Sequence, residues 1–182
     1  ARYLSVMRIN ASKYIAISLL FFLGACGGLT IISSGRPETI KVLVMKGVLS
    51  LEVKTSQNAN PLSISTLKDS RSAVSVNGSG KGLPLYFTPE GEFIYINGRP
   101  YRGTLTVIEL NETLSAINEL QLEEYVAGVI NNEISSKWHD DAVKAQAVIA
   151  RTYALHQKKK RLSDAYHVEG TVMGQVYNGA AS

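Results

Sequence analysis

The chain has 182 residues, 45% of them apolar and 19% charged, which suits one globular domain plus a targeting segment and excludes wholesale disorder. Its formal charge of +4 and pI near 9.1 overstate how basic the folded part is. Arg2, Arg8 and Lys13 all precede Cys26 with no acid among them, and without these three cations 16 basic residues face 15 acidic ones. A nucleic-acid binder keeps its basic excess in the folded domain, so no nucleic-acid partner is expected.

The first 35 residues read as an address. Met7 is the expected start, with residues 1–6 as translated upstream sequence. Arg8 and Lys13 form a charged n-region, Tyr14–Leu23 an apolar h-region, and small Gly24 and Ala25 lead to Cys26, the layout of an exported signal. Leu23-Gly24-Ala25-Cys26 resembles the bacterial lipobox, in which the cysteine becomes the lipidated N-terminus. On that reading residues 1–25 are the signal peptide and 26–39 a linker. Two alternatives stay open. The uncharged run from Tyr14 to Gly35 is long enough for an uncleaved signal-anchor, and it also fits a buried core segment. With a signal or an anchor, the rest of the chain lies outside the cytoplasm. Cys26 is the sole cysteine, so the fold must rest on its core and not on disulfides.

Beyond Gly35-Arg36-Pro37-Glu38, residues 40–55 alternate well enough for two strands around Lys46-Gly47. The polar stretch 56–82 reads as loops between weak strands. Its NGSGKG segment, 77–82, lacks the full phosphate-loop pattern and opens no helix, so it is a turn. Leu85–Phe87, Phe93–Ile96 and Leu105–Ile108 are further strands, with Pro89-Glu90-Gly91 and Asn97-Gly98 as turns between them. The period then changes. Leu122–Ile134 and Asp140–Lys160 read as helices, which makes the expected class α+β, β-rich over 40–115 and helical from 116. The chain stops at Asn178-Gly179-Ala180-Ala181-Ser182 without finishing an element, so an incomplete domain is expected.

The first helix places an acid where its pattern asks for something apolar. On a helical wheel Leu122, Tyr125, Val126 and Val129 share one face, and position 133 returns to the middle of it. A glutamate there loses hydration of its charged form, which favours the protonated acid wanted for general acid catalysis. The plainer alternative is a helix that frays before Glu133, beside Asn131-Asn132 and Ser135-Ser136, and leaves the carboxylate in water. Spacing alone does not decide between them. In the second helix Ala142, Gln146, Ile149 and Tyr153 share a face, so Gln146 needs polar partners there. Arg151 falls on the opposite side, and Lys158–Arg161 form a solvated helix end that suits the C-terminal dipole.

Residues 120–157, LQLEEYVAGVINNEISSKWHDDAVKAQAVIARTYALHQ, resemble the core signature of the stage II sporulation protein D (SpoIID/LytB-type) family, which includes amidase enhancers. The likeness is carried by Leu122-Glu123-Glu124-Tyr125, Glu133, Trp138, Lys144-Ala145-Gln146-Ala147 and Ala150-Arg151-Thr152-Tyr153. Tyr101-Arg102-Gly103-Thr104-Leu105 and Gln175-Val176-Tyr177-Asn178-Gly179 resemble flanking family segments. The resemblance implies a peptidoglycan lytic transglycosylase that cuts strands already stripped of stem peptides. Glu133 matches the catalytic glutamate, acting on the glycosidic oxygen as acid and on the muramic acid C6 hydroxyl as base. Gln146, Arg151, Tyr153, Tyr177 and Trp138 are the substrate-binding candidates, and Cys26 the lipidation site. The alternative is a non-catalytic glycan-binding enhancer of a cell-wall amidase. The partners expected are glycan strands, an amidase, and the membrane through a lipid anchor, with the protein in the cell envelope.

Two departures from the family pattern stand out. Ile134-Ser135 follow the glutamate where Met-Pro is usual, and His139 stands where proline is common. Sporulation members bind zinc through Cys and His ahead of Gln-Val-Tyr, whereas YHVEGTVMG, 166–174, has His167 and no cysteine. Metal sites need several ligands held together, so His167 is expected at the surface or in a hydrogen bond, with neither metal nor cofactor.

Overall fold

A computed structural model describes residues 37–67, 70–133, 138–171 and 174–180, all within the compact unit Gly35–Ser182. The expectations for the signal, the lipobox cysteine Cys26 and Ile134-Ser135 lie outside the described residues. The fold is α+β: two antiparallel-rich sheets followed by two helices.

The first sheet is built on a long strand, β1 (Thr39–Val48), which pairs antiparallel with β10 (Thr113–Gln121) from Thr39↔Gln121 to Val48↔Leu114. The ladder shifts register twice, between Leu43 and Met45 and again before Val48. β10 pairs with β9 (Thr104–Leu110), and β9 with the short β6 (Leu85–Phe87). β11 (Val168–Glu169) adds a parallel edge at Val42↔Val168. The β9–β10 hairpin turns through Asn111 and Glu112 at φ 54° and 63°, the left-handed pair that a tight primed hairpin turn requires.

The second sheet has the order β5-β4-β3-β2-β7-β8. Its strands are β2 (Ser50–Lys54), β3 (Leu62–Leu67), β4 (Ser70–Val76), β5 (Ser79–Gly82), β7 (Ile94–Ile96) and β8 (Arg99–Tyr101). Two Asn-Gly turns, Asn77-Gly78 and Asn97-Gly98, close its hairpins with positive φ at all four residues. Each asparagine also stitches the sheet. The Asn77 backbone N–H donates to Ser63 O at 2.9 Å and its Oδ1 accepts from Ser63 N at 2.8 Å. Asn97 repeats both contacts with Glu52.

Two sequence expectations are corrected here. The break in the first strand pair falls at Leu49, not at Lys46-Gly47. Residues 56–82 carry three complete strands, β3, β4 and β5, so strand outweighs loop there; Ile64 and Val74 are fully buried while the residues flanking them are half-buried or exposed. The segment 77–82 is a turn only at Asn77-Gly78 and then becomes β5. Both sheets and both helices feed one core, from Ile40, Val42 and Leu51 to Val129, Ala150 and Tyr177.

β10 runs straight into helix α1 (Leu122–Glu133). The junction is held by Leu122 N–H donating to Glu38 O at 2.8 Å and Gln121 N–H donating to Glu124 Oε2 at 3.4 Å. The second contact is one half of a capping box. Helix α2 (Asp140–Lys160) is capped by His139, whose ring accepts from Asp141 N–H at 3.3 Å. Asp140 and Asp141 in its first turn and Lys158–Lys160 in its last complement the helix dipole. Among the described residues no helix is long and apolar enough to cross a membrane.

Candidate functional site

The buried face of α1 is the one its spacing predicts: Leu122, Tyr125, Val126 and Val129 are all nearly inaccessible. The helix extends through Glu133, its last residue. The helical repeat returns position 133 to the face of Leu122, Val126 and Val129.

What holds this end of α1 is a hydrogen-bonded chain of one guanidinium and two side-chain amides. Arg99 Nη1 donates to Asn178 Oδ1 at 3.0 Å, and Asn178 Nδ2 donates to Asn132 Oδ1 at 2.9 Å. Asn132 Nδ2 then donates back to Gly128 O at 2.6 Å. The chain ties β8 and the 175–180 segment to the residue just before Glu133. Because each amide both donates and accepts, the orientations are mutually fixed.

Tyr177 sits behind this chain, only 3% exposed. Its ring lies tilted against Tyr125 at 5.3 Å and Tyr101 at 6.1 Å between centroids. Its hydroxyl donates to Asn118 Oδ1 at 3.1 Å, and Asn118 Nδ2 donates to the carbonyls of Arg102 and Thr104. Burial first, then neighbouring Tyr101, pushes the Tyr177 hydroxyl well above the ordinary phenol range, so it stays a neutral donor. Tyr125 donates in the same way to buried Gln175 Oε1 at 3.0 Å. Gly128 makes the arrangement possible: a Cβ there would lie 2.8 Å from Tyr177 Cε2. Gly179, at φ 83°, passes so close to Pro100 that a Cβ would lie 2.3 Å from its carbonyl oxygen.

Beside Tyr177 a cleft of about 320 Å³ opens, lined by Arg102, Glu123, Glu124, Gly128 and Gly179 among others. Arg102 lies 4.9 Å over the Phe93 ring, bonds Glu92 at 2.5 Å and approaches Glu124 at 3.8 Å. Arg151 crosses from α2 to grip Glu123 with two bonds, at 2.8 and 2.5 Å. Its guanidinium holds the Glu123 carboxyl below the usual range, mainly through that hydrogen bond.

The sequence candidates therefore separate. Tyr177 stands with Gly128 and Asn132 near the end of α1, as a buried positioning group and not an open contact. Arg151 is engaged at the other end of the helix. Trp138 is 57% exposed just ahead of the α2 cap, and Gln146 and Tyr153 are half-buried on α2. His167 is buried, and its Nδ1 accepts from Lys41 N–H at 3.1 Å, the hydrogen-bonding alternative of the two expected. Among the described residues no three His, Cys, Asp or Glu side chains are grouped to hold a metal ion. Asn118 carries no signal in the sequence, and nothing there assigns these roles to Asn132, Gln175 or Asn178, since polar residues become informative only once burial is known.

Comparison with known proteins points the same way as the resemblance. Residues 110–182 match the family model SpoIID, "Stage II sporulation protein". An uncharacterized protein of Brachyspira hyodysenteriae is 45% identical over 85 residues, covering 46% of this chain and 23% of that protein. The match thus spans about a quarter of that relative's length. No solved structure matches the chain. β10, both helices and the Tyr177 segment all fall in the stretch that matches the SpoIID stage II sporulation protein family.

Proposed function

We propose that the protein is a peptidoglycan lytic transglycosylase acting on peptide-stripped glycan strands, with Glu133 as its acid and base. The observation that carries this reading is the SpoIID match over residues 110–182, which includes the helix ending in Glu133. In the proposed cycle the Glu133 carboxyl protonates the leaving O4 as the muramic acid C1–O4 bond breaks. The resulting carboxylate then accepts the C6 hydroxyl proton as O6 attacks C1, closing a 1,6-anhydro ring. No water is consumed and Glu133 ends in its starting state. One acid suffices because the substrate supplies its own nucleophile.

Further support for the reading comes from the Arg99–Asn178–Asn132 chain and from Tyr177 against Gly128. Both fix the α1 turns that precede residue 133. Gln146, Arg151, Tyr153 and Trp138 are proposed as substrate contacts on or beside α2. Export with a lipid anchor at Cys26 is proposed from the lipobox, and with it a location in the cell envelope. The direct assay incubates the protein with peptide-free strands and with intact peptidoglycan, and counts anhydro-muramyl ends. Ends from stripped strands above the intact control support the reading. Binding without new ends would point instead to an amidase-enhancing module.

A further inference from the structure

We infer that the outer face of α2 is a self-association seam that pairs two copies of this chain antiparallel about a two-fold axis. Asp141, Ala145, Val148, Thr152, Leu155 and Lys159 follow one another at spacings of four, three, four, three and four. That is the repeat of a coiled-coil seam. All six are exposed, Val148 at 58% and Leu155 at 40%, with Ile149 alongside at 59%. The Thr152 hydroxyl is turned back onto Val148 O at 2.7 Å, which leaves its methyl group to continue the apolar line. The opposite face of the same helix is the one committed to the core, through Ala150 and Ala154. A solvated helix face ordinarily carries charge, and an apolar stripe in this register marks a surface meant to be covered.

The occupant follows from the symmetry of the stripe. Residues 141 and 159, 145 and 155, and 148 and 152 are each equidistant from position 150. A second α2 laid antiparallel therefore sets Val148 against Thr152, Ala145 against Leu155, and Asp141 against Lys159. Asp140 and Lys160 are equidistant from the same point, so both ends of the seam match acid to base. A parallel pairing would set Asp140 and Asp141 against themselves and the lysines against themselves. An isologous contact of this kind closes at two copies.

The test uses the full chain in detergent micelles, with light scattering over a concentration series at low salt. The expected result is a concentration-dependent dimer. Asp141→Lys and Lys159→Asp each weaken it by about tenfold, and the double variant restores it. Val148→Glu abolishes it, while circular dichroism reports that α2 is retained. The helix dipole alone predicts the opposite order, because the double variant places both charges at the wrong ends. A monomer at every concentration, or a double variant weaker than either single one, would overturn the inference.

Discussion

Gly128 carries more of the candidate site than its size suggests. It lies inside α1, where alanine is intrinsically better by about 1 kcal/mol, yet a methyl group there would meet the Tyr177 ring at 2.8–3.0 Å. That ring is wedged between Tyr125 and Tyr101 and cannot retreat. Gly128→Ala should therefore destabilise the fold by about 1–3 kcal/mol, read as a lower urea midpoint with unchanged slope; a gain in stability would contradict the proposed wedge. His167 supports a second prediction at this scale. Burial, then Lys158 and Lys41, lowers its pKa from the ordinary 6.5, and its Nδ1 must stay unprotonated to accept from Lys41 N–H. The unfolded chain binds that proton more readily, so stability present above pH 6.5 is lost as pH falls through the lower folded value. Urea midpoints should drop between pH 7.5 and 5.5, and the drop should shrink in His167→Gln. An equal drop in both proteins would remove His167 from the account.

At the scale of elements, α1 was legible and α2 only half so. Leu122, Tyr125, Val126 and Val129 announce their buried face through size and spacing, and all four are buried. On α2 the wheel favoured Ala142, Gln146, Ile149 and Tyr153, but Ile149 is 59% exposed and the buried positions are Ala150 and Ala154. Both alanines are completely buried where α2 packs on the core, and α1 is the main element α2 contacts. Hydrophobicity ranks alanine below isoleucine and so turns the expected face away from Ala150 and Ala154, although Ala142, Gln146 and Tyr153 are still half-buried. Ala154→Leu should accordingly cost about 1–3 kcal/mol by overpacking, whereas Ile149→Ser should be close to neutral in dilute solution; thermal denaturation of the two variants checks the pair. The strands of 62–82 were obscured for a related reason. Serine and glycine are frequent in them, β5 has no apolar residue at all, and single fully buried residues in β3 and β4, Ile64 and Val74, are enough once neighbouring strands complete the sheet. Nothing in the sequence links Arg99, Asn178 and Asn132, because Arg99 and Asn178 are 79 positions apart and the three meet only in the fold.

For the whole molecule, the SpoIID relationship rests on the helical half, while the β-rich half supplies the platform that orients it. β1 and β10 carry the core on which α1 rests, and Lys158 reaches back from α2 to bond Glu38 at 2.7 Å and Thr39 O at 2.6 Å. The proposed placement in the envelope depends on Cys26. Incorporation of labelled palmitate into the full chain, and its loss in Cys26→Ser, are the expected outcomes; an unlabelled wild type would favour a signal-anchor in the membrane instead. Glu133 is proposed to do the chemistry, and one experiment tests it. Wild type and Glu133→Gln are incubated with peptide-free glycan strands, strand binding is measured by co-sedimentation, and anhydro-muramyl ends are counted over time. The account predicts equal binding and a loss of about 10²–10⁴-fold in the rate of end formation, the range for removing a positioned acid. Equal rates from the two proteins would contradict it.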